Sequence, residues 1–207
     1  AQWNFSKKLL PYLKVYQIHS ATLETGVLEN TDVLAHLAFL KREHKLKIGL
    51  TTTGTNQLEV IKKALEVTIN GIQVFDLFQI TYNFLDQSLQ EILGELNRQN
   101  KQIIIKEALA NGRVFKNKNY PHYNKMYTIL EHLSKKYNVG VDAISLKYCE
   151  QTIPNSLVLS GASTSEQLKE NLKLNTFTLS KNDIDILNGL KVRPDFYWTE
   201  RKKLAWN

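Results

Sequence analysis

LKVYQIHS, at residues 13–20, is an apolar, β-branched and aromatic run that breaks off at a histidine, His19. Four runs of the same kind follow in order: KIGLTTT (47–53), FDLFQITYN (75–83), QIIIKEA (102–108) and SLVLSGAS (156–163). Each is short and ends in polar or small residues, as a mostly buried strand does. Amphipathic stretches lie between them. Residues 31–44 space Val33, Leu34, Leu37, Phe39 and Leu40 at close to helical period, with Thr31 or Asp32 as cap. Residues 56–67 repeat the pattern with Leu58, Ile61 and Leu65, and residues 87–100 with Leu89, Ile92, Leu93 and Leu96. Further helices are read over 123–137, 142–151, 167–174 and 180–190, the last opened by Ser180-x-x-Asp183 and closed near Gly189. Residues 5–13 look like a helix end closed by Pro11. Strands alternating with helices, each strand carrying chemistry-capable residues at its C-terminal end, imply a parallel α/β protein with its site at that end. In an eightfold barrel, the first run would fall in the middle.

Composition bounds the reading. The 207 residues suit one domain or two, and 43% hydrophobic residues suffice for a sizeable core. One cysteine, Cys149, excludes an internal disulfide framework and fits a reducing compartment. No stretch reaches the roughly 18 apolar residues of a membrane helix. AQWNFSKKLLPYL at the N-terminus lacks the apolar core of a signal peptide. A cytoplasmic protein without membrane association is therefore expected. The net charge of +7 comes from lysines scattered singly and in pairs, with no aromatic-interleaved basic stripe. That pattern argues against nucleic acid and leaves a preference for anionic ligands.

The polar residues at the strand ends are the candidates for chemistry. His19 would orient or protonate a carbonyl, or sit hydrogen-bonded in the core. Thr51, Thr52 and Thr53 would bond a ligand amide, or simply reflect the β preference of threonine. Gln79 and Asn83 lie in an apolar run and need partners, from ligand or backbone. Lys106 and Glu107 break another apolar run, as a rim salt bridge or as site residues. SGASTSEQLKEN (160–171) is the most specific segment. There a strand end and a small-residue turn lead to Ser163-x-x-Glu166, a capping-box start whose free N–H groups suit an anion. GRVFKNKNYPHYN (112–124) reads as a long loop over the strand C-termini, and the aromatic tail RPDFYWTERKKLAWN (193–207) as a segment that packs onto something.

Taken together, the five runs resemble the C-terminal part of an aldo-keto reductase, from residue 13 to about 190. YQIHS resembles the fourth-strand motif that ends in the family's catalytic histidine, which would be His19. KIGLTTT resembles the fifth-strand motif, usually glycine-valine-serine-asparagine. Thr51 and Thr52 would take the places that hold the nicotinamide carboxamide. FQITYN resembles the sixth strand, with Gln79 as the third carboxamide contact. IIIKEALANGR resembles the seventh strand and its loop, with Lys106 near the residue that stacks on the nicotinamide. SGASTSEQLKEN resembles the cofactor-phosphate segment. Gly161, Ala162 and Ser163 would face the phosphates, and Gln167, Glu170 and Asn171 the adenosine end.

The resemblance implies an α/β fold of the (β/α)8 TIM-barrel type, incomplete, holding roughly strands four to eight. The whole chain would be one domain, with residues 176–207 as its C-terminal helix and tail. It implies an oxidoreductase that transfers hydride between NADP or NAD and an aldehyde, ketone or alcohol, with no metal. Of the family's aspartate, tyrosine, lysine and histidine tetrad, only His19 finds a match. The chain alone is therefore expected to be inactive. The alternative is a truncated, non-catalytic relative that binds a nucleotide or a partner. An unrelated phosphate-binding barrel would explain SGAS but not YQIH or FQITYN. Gln167 stands where an arginine often does and Gly161 where a lysine often does. Weak discrimination between NADH and NADPH is the expectation.

Overall fold

The computed structural model describes residues 2–204. The chain divides into two compact units, Ala1–Ile80 with Glu91–Ile103, and Thr81–Gln90 with Ile104–Asn207.

The first unit opens with α1 (Trp3–Ser6) and a 3-10 turn, Lys7–Leu9, before β1 (Val15–Ala21). It continues through α2 (Thr31–His44), β2 (Lys47–Thr52), α3 (Gln57–Glu66), a two-stranded hairpin of β3 (Thr68–Ile69) and β4 (Ile72–Gln73), β5 (Leu77–Thr81) and α4 (Leu93–Arg98). β1 runs parallel to β2 with Gln17 beside Gly49 and Ile18 beside Leu50. β2 runs parallel to β5 with Leu50 beside Phe78 and Thr51 beside Gln79. The first residues of β6 (Gln102–Lys106) follow, the N–H of Gln102 donating to the carbonyl of Asp76 at 3.0 Å. Spatial order thus equals chain order, as expected of successive βα units. Gly49 is required where the strands meet. A Cβ there would lie 2.7 Å from Leu77 Cδ1 and 2.9 Å from Gln17 Cβ.

Leu34, Leu37 and Leu40 of α2, Val60 and Ile61 of α3 and Leu96 of α4 are buried, as are Ile48, Leu50, Leu77 and Phe78 of the strands. Each such side chain contributes about 1.5–3 kcal/mol when taken out of water. Asp76 pins the lower end of this sheet. Its carboxylate accepts from the Ile48 N–H at 3.0 Å and from Lys41 Nζ at 2.7 Å.

In the second unit, β6 pairs in parallel with β7 (Leu157–Val158), Ile104 beside Leu157 and Ile105 beside Val158. Short 3-10 turns at Ala110–Gly112 and Pro121–Tyr123 lead into α5 (Asn124–Tyr137), followed by α6 (Val141–Thr152). After β7 come α7 (Ser165–Leu172), a 3-10 turn (Lys173–Thr176), α8 (Lys181–Asn188) and α9 (Pro194–Lys203). The aromatic tail forms α9, with Tyr197 and Trp198 buried, and residues 205–207 of that stretch lie outside the described residues. Tyr82 stacks on Tyr148 with centroids 6.2 Å apart, and the Cys149 thiol beneath them donates to the Tyr82 carbonyl at 3.4 Å. Burial pushes that thiol above its ordinary range.

The Ser180–Asp183 capping box forms as the spacing predicts. Asp183 is 3% exposed, and its Oδ2 accepts from Lys136 Nζ at 2.6 Å, Tyr137 OH at 2.5 Å and Ser180 Oγ at 2.6 Å. Burial alone would raise its pKa, but the hydrogen bonds from Lys136, Ser180 and Tyr137 together hold it well below the usual carboxylate range. A depressed carboxylate pKa stabilises the fold fully above the unfolded value of about 3.9 and loses that contribution as pH falls through the folded value. Asp183→Asn is expected to cost about 1–3 kcal/mol at pH 7. It should also flatten the fall in urea midpoint between about pH 4 and pH 2. An unchanged acid slope would show that other carboxylates carry it.

Candidate functional site

In the first unit, the end of β1 is irregular. Register with β2 shifts between Ile18 and Ala21, and Ser20 has φ 52°. Such a bulge bends the strand and re-aims the side chains beside it. His19 sits in this bulge and is exposed to solvent, not held in the core.

Parallel pairing of Thr51 with Gln79 puts the two side chains on one face. Thr51 is 2% exposed, and its hydroxyl Oγ1 has no hydrogen-bond partner among the described residues. Buried hydroxyls without partners are rare and call for one. Gln79 is oriented by Gln17, whose Nε2 donates to Gln79 Oε1 at 2.8 Å. Thr52 points elsewhere, since alternate strand residues face opposite sides. Its hydroxyl is 3.3 Å from Gln57 Oε1, at the first turn of α3, and 3.5 Å from the Gln79 carbonyl. Of the two threonines, Thr51 carries the free hydroxyl.

In the second unit, a cavity of about 650 Å³ is lined by Lys106 and Glu107 from the end of β6, by the loop through Leu109, Asn111 and Phe115, and by Gly161, Ala162, Ser163, Gln167 and Asn171. That size is typical of small-molecule and cofactor pockets. Lys106 Nζ donates to Thr81 Oγ1 at 2.9 Å, lies 3.9 Å from Glu107 Oε1, and is 5.9 Å from the centroid of Trp198. Burial lowers its pKa, with Glu107 opposing. Glu107, at φ 58°, is held by Arg201 Nε at 3.0 Å and by the Tyr197 hydroxyl at 3.2 Å.

The opposite wall is the turn before α7. Gly161 has φ 66°, a conformation L-residues adopt only with strain, and a Cβ there would meet nothing within 4 Å. Glycine therefore leaves open space over the backbone. Ala162 N–H donates to Ser160 Oγ at 3.1 Å. The helix cap differs by one residue from the expected Ser163-x-x-Glu166. Thr164 is the N-cap and Gln167 the third helical residue, each side chain bonding the other's backbone. Gln167 Oε1 also accepts from the N–H and hydroxyl of Ser163 at 2.8 and 3.1 Å. Asn171 is 3% exposed, its Nδ2 donating to the carbonyl and hydroxyl of Ser160 at 3.3 and 3.1 Å. Glu170 points away into an ion pair with Lys173 at 2.7 Å.

In the second unit, then, Lys106, Gly161, Ala162, Ser163, Gln167 and Asn171 meet at one cavity, and Glu170 does not. In the first unit, Thr51 and Gln79 share a face, and Thr52 does not. Sequence reasoning missed Asp142, at the first turn of α6, which lines the same cavity. No local signal marks it, because its place in the wall depends on how α6 packs. Asn83, a candidate by its strand-end position, is fully buried and spends its side chain on the Glu107 carbonyl, the Tyr197 hydroxyl and the N–H groups of Leu85 and Asp86. Among the described residues, no group of three or more His, Cys, Asp or Glu is placed to hold a metal, and no helix is long and apolar enough to cross a membrane.

No curated protein sequence matches the chain. Several solved structures share its fold. A thermostable aldo-keto reductase, Tm1743, in complex with the inhibitor epalrestat, is 22% identical with TM-score 0.63, over 86% of this chain and 59% of that one. A Gox0644 mutant in complex with NADPH is 20% identical with TM-score 0.67, over 93% and 64%. The aldo-keto reductase AKR11C1 from Bacillus halodurans is 18% identical with TM-score 0.69, over 91% and 67%. The chain spans between 57% and 67% of the length of such structures. The α/β fold with its parallel strands is TIM-barrel-like. The model of the aldo/keto reductase family matches residues 7–191, a span that includes every strand-end residue described above. The chain belongs to the aldo/keto reductase family.

Proposed function

We propose that the chain supplies the cofactor wall and the catalytic histidine of an NAD(P)H-dependent carbonyl reductase. Its β1, β2, β5, β6 and β7 would be the fourth to eighth strands of a (β/α)8 barrel. In this reading the chain is one C-terminal barrel portion, with residues 176–207 as its closing helix and tail. The observation that carries the reading is the 650 Å³ cavity, bounded on one side by Lys106 and on the other by the open backbone at Gly161 and the capped start of α7. The capping box and Ser160 take the N–H groups of Ala162, Ser163, Thr164 and Gln167, so a phosphate here would rest on the positive end of α7 and not on a row of free donors.

A bound dinucleotide supplies hydride to a carbonyl carbon. The chain's residues bind and orient. His19 donates a hydrogen bond to the substrate carbonyl oxygen, which its exposure permits. Thr51 and Gln79 hold the nicotinamide carboxamide, giving the buried Thr51 hydroxyl the partner it lacks. Thr52 braces that contact through Gln57. The stem of Lys106 lies against the nicotinamide ring. Gly161, Ala162 and Ser163 face the phosphates, and Gln167 and Asn171, with Glu170 behind them, stand toward the adenosine. The partner is a small carbonyl compound, not nucleic acid or membrane.

Titration of the purified chain with NADPH and NADH, followed by calorimetry, tests this. Saturable one-to-one binding is expected, weakened about tenfold or more by Gly161→Val, which closes the open backbone and strains φ. No carbonyl turnover by the 207-residue chain alone is expected, since His19 is its only match to the family tetrad. Failure to bind either dinucleotide overturns the cofactor reading. Robust turnover would require a proton donor within this chain.

A further inference from the structure

We propose that Asp142 selects the cofactor, admitting an adenosine ribose with a free 2′-hydroxyl and opposing one with a 2′-phosphate. The inference rests on the cofactor reading of the cavity and concerns its charge.

Three ionisable side chains line the cavity: Lys106, Glu107 and Asp142. The first two are engaged. Lys106 donates to Thr81 and lies near Glu107, while Glu107 is bound by Arg201 and Tyr197. Asp142 has no ion-pair partner among the described residues. Its Oδ1 accepts from the Ala143 N–H, at 2.9 Å. The remaining polar wall is neutral. Gln167 is fixed in the capping box and Asn171 on Ser160. Lys169 and Lys173 are not in the lining, and Lys173 is paired with Glu170.

A 2′-phosphate would bring about 1.5 to 2 further negative charges at pH 7 into this wall. Among the described residues of the lining it would find no free cation and one carboxylate without an ion-pair partner. A 2′-hydroxyl instead donates to that carboxylate, a charge-assisted bond roughly twice as strong as a neutral one. The same chemistry lets an acidic residue read the ribose in doubly wound nucleotide-binding folds. The start of α6 offsets some of the Asp142 charge but supplies no side-chain donor to a phosphate. Sequence alone leaves the two cofactors nearly equal, and Asp142 tips the balance to NADH.

Calorimetric titration of the full chain with NADH and NADPH, for the native sequence and Asp142→Asn, reads this without turnover. Asparagine keeps the Oδ1 that accepts from Ala143 and removes only the charge. NADH is expected to bind about tenfold tighter than NADPH, a difference of ~1.4 kcal/mol. In Asp142→Asn the ratio should fall to about threefold or less, through tighter NADPH binding. Asp142→Ser, with unchanged circular dichroism, repeats the test if the asparagine variant folds poorly. A ratio unmoved by either variant, or a native preference for NADPH, overturns the selector role while leaving the cofactor reading intact. Binding of neither dinucleotide overturns both.

Discussion

Arg113→Ala is expected to lower the stability of the chain by about 3–5 kcal/mol, the usual cost of breaking a buried ion pair from one side. Arg113 is 1% exposed. Its Nε donates to the Ala110 carbonyl at 2.9 Å and its Nη1 to the Tyr197 carbonyl at 3.1 Å, with Glu200 Oε2 at 3.4 Å. The guanidinium lies 4.0 Å from the centroid of the Tyr197 ring. One side chain therefore ties the loop after β6 to the backbone, ring and carboxylate of α9. Nη2 has no partner among the described residues, so the native arrangement already carries a cost, and the remaining contacts outweigh it. Truncation leaves Glu200, whose side chain is 11% exposed, with Tyr123 and His122 as neighbours but without its buried cation.

Urea unfolding should show a lower midpoint, and thermal melting a drop of roughly 6–20 °C, at about 2–4 °C per kcal/mol for a chain of this size. Arg113→Lys should rescue little, because an ammonium cannot make the forked contacts or the same stacking. A loss under about 1 kcal/mol would mean that α9 is held by Tyr197 and Trp198 packing alone.

The strands were legible because each is a short apolar or aromatic run, largely buried in β2 and β5 and half-covered in β1 and β7, and five such runs in order leave few topologies. Helix ends were less so. SGASTSEQ contains two overlapping capping boxes, Ser163-x-x-Glu166 and Thr164-x-x-Gln167, and spacing cannot choose between them. The structure takes the second, so Ser163 is left to bond Gln167. Asn30, not Thr31 or Asp32, caps α2, its Oδ1 accepting from the Val33 N–H at 3.1 Å. The helix expected over 87–100 shrinks to Leu93–Arg98. Before it, Asn83 and Asp86 side chains capture the N–H groups of Leu85, Asp86 and Ser88 and hold the backbone in turns. The β3–β4 hairpin was readable in principle. Asn70-Gly71, with φ 52° and 77°, is the dipeptide that two-residue hairpin turns prefer. At the site, strand-end residues could be named because strand ends are visible in sequence. The Thr51–Thr52 distinction needed the pleat, and Asp142 needed tertiary packing.

In a catalytically complete barrel containing this chain, His19→Ala should lower kcat by about 10²-fold or more while changing dinucleotide affinity by less than about threefold. His19 stands in a bulge, beyond the last regular β1–β2 pair before the register shift, Ile18 with Leu50, and is exposed. The buried Thr51 hydroxyl and Gln79 amide, by contrast, lie within the regular register of β2 and β5. A residue that orients a carbonyl must reach solvent-accessible substrate, whereas one that grips a cofactor amide is better placed in a dry, fixed wall. Removing the imidazole should therefore act on the chemical step. Lost kcat with retained affinity marks an interaction made chiefly in the transition state. Thr51→Val should do the reverse, weakening dinucleotide binding and leaving kcat at saturation nearly unchanged. Single-turnover rates and calorimetric affinities for both variants separate the cases. If His19→Ala weakened the dinucleotide and spared kcat at saturation, the imidazole would belong to the cofactor wall, and the bulge at Ser20 would serve binding instead of catalysis.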